Sequence, residues 1–106
     1  MKIGNLVITE KAALAPMAGV ADRAFRELCR GYGAAYTVCE MASAKGISLG
    51  DKKSAELLSI SESERPAGSQ IFGNSSETMH WVLCLYVRVR SFIIRHGTKC
   101  IIFIRR

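Results

Sequence analysis

Three positions in this 106-residue chain combine residue types that could do chemistry. At the first, Pro16, Met17 and Ala18 follow a short apolar run and precede Gly19. Small residues let a backbone approach a flat ring, and Met17 offers the ring a polarisable apolar surface. Backbone N–H and C=O groups could then bond the polar edge of that ring. A tight turn with Met17 in the core accounts for the same residues, and spacing alone favours the turn.

The other two positions hold polar side chains. Gln70 has an amide donor and an acceptor, which suits a ring edge where donors and acceptors alternate. A lone glutamine, however, is more often an edge residue that faces solvent. Glu40 ends an apolar strand beside Met41, where its carboxylate could meet a cofactor or substrate. A neighbouring Arg or Lys that neutralises Glu40 is an equal alternative.

The elements that must position these groups alternate along the chain. We predict three strands separated by helices, which is the pattern of a parallel α/β architecture. Asp22 is expected to cap the first helix, with Phe25, Leu28, Cys29 and Tyr32 on one face at helical spacing. The carboxyl ends of parallel strands share one edge, so the three positions are expected to converge. The predicted strands are 12–15, 35–39 and 66–72, and the later helices are 43–49, 52–58 and one beginning near Ser75.

Three segments of this chain share motifs with one known family: Leu14 to Arg26, Thr37 to Lys45, and Glu64 to Pro66 with Gln70 to Gly73. They resemble the tRNA-dihydrouridine synthases, which are flavin enzymes of the TIM-barrel class. The resemblance covers roughly residues 1–79, and Ala21 stands where the family has Thr. It implies that Pro16, Met17, Ala18 and Gln70 bind FMN, with NAD(P)H as the reductant. It also implies that the substrate is uridine in tRNA, reduced to 5,6-dihydrouridine.

The length and the end of the chain depart from that family. A complete (β/α)₈ barrel takes about 250 residues, so this chain holds about three strand-helix units of an incomplete barrel. Residues 80–106 contain six Lys or Arg and no acid, and they carry the whole net charge of +6. We predict a domain over 1–79 and an atypical basic, apolar tail without a partner sheet. Out-of-frame translation with an early stop explains the tail, and a divergent terminus is the competing explanation.

The cysteines give no catalytic assignment. The family uses a cysteine as proton donor to uracil about thirty residues after the glutamine, and Cys100 has that spacing from Gln70. The motif around it is absent, so we predict no catalytic residue and an inactive fragment. The four cysteines form no C-x-x-C pair, which argues against a metal site and favours a reduced, cytoplasmic setting. The longest apolar stretch is too short to span a membrane.

Two alternatives remain open from the sequence. One is another FMN-dependent TIM-barrel oxidoreductase, such as a relative of dihydroorotate dehydrogenase. The helix start at Asp22 and the Glu40-Met41 segment argue against it. The other is a non-enzymatic remnant whose basic tail binds nucleic acid or a membrane surface by charge alone. Such binding would weaken steeply with salt.

Overall fold

The computed structural model describes residues 2–4, 6–86, 91–96 and 100–105. Through the first 86 residues its order is two short strands, a helix, a strand, two helices, a strand and a helix, which matches the predicted alternation only in part. The strands are β1 (Lys2–Ile3), β2 (Leu6–Val7), β3 (Thr37–Ser43), β4 (Ala67–Phe72), β5 (Ser91–His96) and β6 (Cys100–Arg105). The helices are α1 (Arg23–Gly31), α2 (Ala44–Ser48), α3 (Lys52–Glu56) and α4 (Ser76–Tyr86).

The main sheet has the strand order β3-β4-β6-β5, and a separate antiparallel pair joins β1 to β2. Strands β3 and β4 are parallel, which confirms the small α/β architecture expected from the sequence. Helices α2 and α3 lie within the predicted segments. Ser43 caps α2, with its hydroxyl accepting from the Gly46 N–H at 3.1 Å.

The first predicted strand, over 12–15, is wrong as a strand. This segment lies parallel to β3, but the pairing reduces to one bridge between Leu14 and Thr37. The Leu14 N–H donates to the Tyr36 carbonyl at 3.0 Å, and the Val38 N–H donates to the Leu14 carbonyl at 3.2 Å. The next donor in this ladder would be residue 16, and proline has no N–H. The ladder therefore ends where the Pro16 turn begins.

The tail also differs from the prediction, because it does have a partner sheet. Strand β6 pairs antiparallel with β4 over its whole length, from Ala67 opposite Arg105 to Phe72 opposite Cys100. Strand β5 then pairs antiparallel with β6. An unpaired edge of β4 presents a row of backbone donors and acceptors, which a short β-branched run can satisfy. The tail thus extends the sheet, although with the opposite strand direction.

The hydrophobic core lies between the sheet and the helices α2 and α4. Seven buried side chains form it, and Ala42 and Ile71 contribute from the two parallel strands. Gly73 makes this packing possible, because a Cβ there would lie 3.0 Å from the Met79 sulfur. The core residues are Ala42, Ala44, Ile47, Leu58, Ile71, Met79 and Val82.

Helix α1 begins as predicted, with the Asp22 carboxylate accepting from the Phe25 N–H at 2.8 Å. The face formed by Phe25, Leu28, Cys29 and Tyr32 is not the buried one, however. Leu28 is 56% exposed and Tyr32 is 87% exposed, whereas the buried residue of the helix is Arg26 at 4%. Arg26 lies about 100° around the helix from Phe25. Burial of Arg26 therefore turns the apolar stripe of α1 away from the core.

Arg26 is buried because it has a complete set of acceptors. Its Nε lies 2.6 Å from the Glu64 carboxylate, and its terminal nitrogens donate to the carbonyls of Ala21 and Ser59 at 2.9 and 3.1 Å. Glu64 is fully buried and also accepts from the N–H and the hydroxyl of Ser61. Burial acts to lower the pKa of Arg26, but the hydrogen bond and charge of Glu64 outweigh it and raise the pKa. The guanidinium is therefore charged in the folded chain.

We predict that Arg26→Met lowers the free energy of unfolding by about 3–5 kcal/mol, because Glu64 remains buried without its cation. The double variant Arg26→Met/Glu64→Leu should recover most of that loss, since no uncompensated charge remains. Arg23→Met is the control, because the exposed Arg23 pairs with Glu27 at 3.0 Å and lies 3.9 Å from Glu64, beyond hydrogen-bond distance. Its cost should stay below about 1 kcal/mol. Urea unfolding measures all three, and equal losses for Arg26→Met and Arg23→Met would contradict the prediction.

A second prediction concerns the carboxylate that caps α3. The hydrogen bonds from the Ser54 hydroxyl and then the Ser54 N–H lower the pKa of Asp51 below its ordinary value. A lowered folded pKa gives stability above the unfolded pKa of about 3.9, which is lost as the pH falls through the folded value. Asp51→Ala should therefore melt below the unmodified chain at pH 7, with the gap closing in acid. A melting gap that is constant from pH 7 to pH 2 would contradict this.

Candidate functional site

The turn after Leu14 is held by its own backbone. The Met17 carbonyl accepts from the N–H groups of Val20 and Ala21, at 3.1 and 2.8 Å. Gly19 closes the turn with a φ of 73°, a conformation that residues with a Cβ adopt reluctantly. We call Pro16 to Gly19 the β-turn loop. It passes from the Leu14 bridge directly to the cap of α1.

A β-bulge shapes the strand beside this loop. In the ladder between β3 and β4, Val38 pairs with Gly68 and Met41 pairs with Gln70, so Cys39 and Glu40 together face Ser69. Such a bulge changes the direction of side chains and is frequent next to functional sites. Here the Glu40 carboxylate accepts a hydrogen bond from the Gly19 N–H at 2.9 Å. The sequence predicted either a cofactor or substrate, or a neighbouring Arg or Lys, as the partner of Glu40, and it did not predict this backbone N–H.

The loop and the two parallel strands enclose a cleft of about 360 Å³ at the carboxyl end of the sheet. Gln70 lies in it with 8% of its surface exposed, opposite Met41 in the strand ladder. Met41 and Phe72 are about half exposed and give the cleft apolar walls. The structure thus brings together the three sequence-predicted positions. The lining residues are Pro16, Ala18, Glu40, Met41, Gln70 and Phe72.

Met17 differs from its predicted neighbours in position. It is 38% exposed and lies outside the residues that line the cleft, although its carbonyl holds the loop together. Its contribution in this structure is therefore the backbone of the turn. The roles of Pro16, Met17, Ala18 and Gln70 in cofactor binding stay predictions.

The chemistry of the cleft suits a flat, largely neutral ring. Apolar surfaces from Pro16, Met41 and Phe72 can contact the ring faces, and the Gln70 amide can bond a polar edge. Among the six lining residues, none is Lys or Arg and Glu40 carries a negative charge. A phosphate group would therefore find no cation in this cleft. Its size lies at the lower end of the range for ligand pockets, about 300–1,000 Å³.

Another hollow lies next to the cleft and has a different charge character. A mixed-charge hollow of about 500 Å³ shares Glu40 and is lined also by Arg23, Arg26 and Lys53. No group of three or more potential metal ligands occurs among the residues that the structure describes. Within the same part of the chain, no helix has the length and apolar character to cross a membrane.

Sequence reasoning missed the contacts that hold the cleft in shape. The Arg26–Glu64 pair joins residues 38 positions apart, and the bond from Gly19 to Glu40 spans 21 positions. No local pattern signals the first, because Arg26 lies about 100° around α1 from Phe25, outside the apolar stripe. The bulge has no local sequence signature, because it arises from the register between two strands.

The fold and the cleft define an α/β protein with a ring-sized site at the carboxyl ends of parallel strands. A model of the dihydrouridine synthase family matches residues 13–85, more than half of the chain. The chain therefore belongs to the dihydrouridine synthase family. This confirms the resemblance expected from the sequence, and the match extends past residue 79.

Individual relatives agree with the family match. A tRNA-dihydrouridine synthase B from Vibrio vulnificus is 60% identical over 43 residues, which are 41% of this chain and 13% of that protein. The protein of the same name from Shewanella oneidensis is 40% identical over 100 residues, 94% of this chain and 31% of that protein. That second match includes part of the last 27 residues. The chain spans at most about a third of these relatives, and no solved structure matches it.

A matched pair of glycine variants tests the loop geometry. Gly19→Ala should lower the free energy of unfolding by about 1–2 kcal/mol, because its φ is positive. A Cβ at Gly19 would touch no other atom, so no new packing contact would offset that strain. Gly31→Ala in α1 also meets no neighbouring atom but has no such φ, so it should be neutral or stabilising. Chemical unfolding compares the two. If Gly19→Ala is as stable as Gly31→Ala, the loop does not have this conformation in solution.

Proposed function

We propose that this chain is the first part of an FMN-binding TIM barrel in a tRNA-dihydrouridine synthase. Such an enzyme reduces uridine in tRNA to 5,6-dihydrouridine, with NAD(P)H as the reductant. The observation that carries the proposal is the cleft itself. In a chain of the dihydrouridine synthase family, Pro16, Ala18 and Gln70 line one hollow at the carboxyl ends of its parallel strands.

The strand arrangement supports the barrel assignment. The Leu14 segment, β3 and β4 are neighbours in chain order and all run parallel, as successive barrel strands do. Function in barrels gathers at the carboxyl ends of the strands, where this cleft lies. The antiparallel β6-β5 hairpin occupies the edge of β4 where a barrel would continue. We therefore keep the division into a barrel part over 1–79 and an atypical tail over 80–106.

The residues of the cleft would each have a defined task. Pro16 and Ala18 let the loop approach the flavin ring, with Met17 contributing through the loop it holds, and Gln70 bonds the pyrimidine edge. When bound, FMN supplies the hydride transfer to the uracil ring. The protein would orient the flavin ring, and Met41 and Phe72 would exclude water from it. The target base must be turned out of the RNA to reach the cleft, at a cost of a few kcal/mol.

Several parts of the activity lie beyond this chain's cleft. We assign no catalytic residue, and the side chain of Cys100 lies outside the described part of the structure. The cleft has no cation for the FMN phosphate, so we expect the chain alone to bind flavin weakly and to reduce no tRNA. A cytoplasmic location with tRNA as the partner belongs to the same proposal.

The proposal predicts equal and weak binding of FMN and riboflavin by the full 106-residue chain. Both should bind with a Kd of about 0.1 mM or weaker, since contacts to the ring alone are available. Gln70→Ala should weaken binding about 2- to 10-fold, because each lost hydrogen bond is worth roughly 0.5–1.5 kcal/mol. Asn74→Ala removes an exposed amide outside the cleft and should change nothing. Quenching of flavin fluorescence measures these constants.

Two results would count against the proposal. One is binding that Gln70→Ala leaves unchanged, because the ring edge would then lie elsewhere. The other is FMN binding at least 100-fold tighter than riboflavin binding, which would place the phosphate on a cation that the cleft does not contain.

A further inference from the structure

Glu40 occupies a position that the proposed flavin chemistry does not explain. It is the ionisable residue among the six that line the cleft, yet a carboxylate is a poor neighbour for the electron-rich oxygens of a flavin edge. Its partner in the structure is a backbone donor, the Gly19 N–H at 2.9 Å. That bond connects β3 with the β-turn loop at the residue whose φ is positive.

The bulge explains how Glu40 reaches the loop. A regular ladder alternates side chains strictly between the two faces of a sheet. Two residues opposite Ser69 interrupt that regular register: in an unbroken ladder Glu40 would lie opposite Gln70, whereas here Met41 does, and Glu40 is bonded to the loop instead. The loop has a second fixed end, because Arg26 binds the Ala21 carbonyl at 2.9 Å. Both anchors follow Ala18 directly in the chain, and the Leu14–Thr37 bridge holds the chain before Pro16, so Pro16 and Ala18 have a defined position beside the cleft.

We propose that Glu40 is a positioning residue for the β-turn loop, which would line a bound flavin. By accepting from the Gly19 N–H it holds Pro16 and Ala18 at the height of Gln70, so that the ring meets a preformed wall. This inference rests on the proposed flavin-binding function. It assigns Glu40 no contact with the reacting atoms, because its carboxylate is occupied by the loop.

The test compares three variants of the full chain. Glu40→Ala removes the acceptor, Glu40→Gln keeps an oxygen in the same place, and Glu62→Ala removes an exposed carboxylate elsewhere. Solvent exchange of the Gly19 amide, measured by NMR without flavin, reports the bond directly. Fluorescence titration with riboflavin reports the wall of the cleft. Melting temperatures show whether each variant is folded.

We expect Glu40→Ala to speed Gly19 exchange about tenfold and to weaken riboflavin binding by a similar factor, as loss of a charge-assisted bond implies. Glu40→Gln should stay within about threefold of the unmodified chain in both measurements, and Glu62→Ala should match it. A rescue by Gln distinguishes positioning from a need for negative charge.

Unchanged Gly19 exchange in Glu40→Ala would overturn the inference, as would faster exchange with unchanged riboflavin affinity. Equal losses in the Ala and Gln variants would overturn it too. If the unmodified chain binds no flavin, the proposed function fails and the inference with it. The two failures are distinguishable, because Gly19 exchange is measured without flavin and shows whether the Glu40 bond exists even when no flavin binds.

Discussion

The buried ion pair between Arg26 and Glu64 is the interaction on which the rest of the described structure depends. Two charges at 4% and 0% exposure are costly unless each finds partners, and here both do. The pair and its hydrogen bonds join the first turns of α1, the Ala21 carbonyl and the segment from Ser59 to Glu64. It therefore fixes how α1 lies against the segment from Ser59 to Glu64.

Two consequences for the site follow from that orientation. Glu40 holds the β-turn loop at Gly19, and Arg26 fixes the chain just after the loop, at the Ala21 carbonyl. The apolar stripe of α1 turns outward instead and lines an open groove with residues 12–14, where Leu28 and Tyr32 are exposed. The same interaction thus helps to fix the loop beside the cleft and leaves a second, apolar groove on the surface. The cleft differs from that groove by its Gln70 amide and its Glu40 carboxylate.

Local signals in the sequence predicted much of this fold. Hydrophobic patterning located β4, Asp22 predicted the cap of α1, and Ser43 to Leu49 contained α2. Features that depend on distant partners were not predictable. The stripe from Phe25 to Tyr32 has helical spacing, but spacing cannot show that Arg26 would find Glu64. Likewise, the prediction of a tail without a partner sheet was wrong, because nothing local in Cys100 to Arg105 shows that the edge of β4 would pair with it.

The candidate site divides in the same way. Pro16, Ala18 and Gln70 were predictable because the first two follow a segment parallel to β3 and Gln70 lies in the neighbouring parallel strand β4. The displaced Met17 and the occupied Glu40 were not, since both depend on a turn and a bulge that exist only once the strands have paired. The proposed function gives these residues a shared purpose that their types alone leave open.

The most direct test of the central claim is a map of where a flavin ring binds this chain. Chemical-shift changes measured by NMR during a riboflavin titration would provide it. The account predicts saturable changes concentrated at the Ala18 backbone amide and the Gln70 side-chain amide, with Leu28 and Tyr32 unaffected. Changes centred on Leu28 and Tyr32, in the groove of about 420 Å³, would contradict the account.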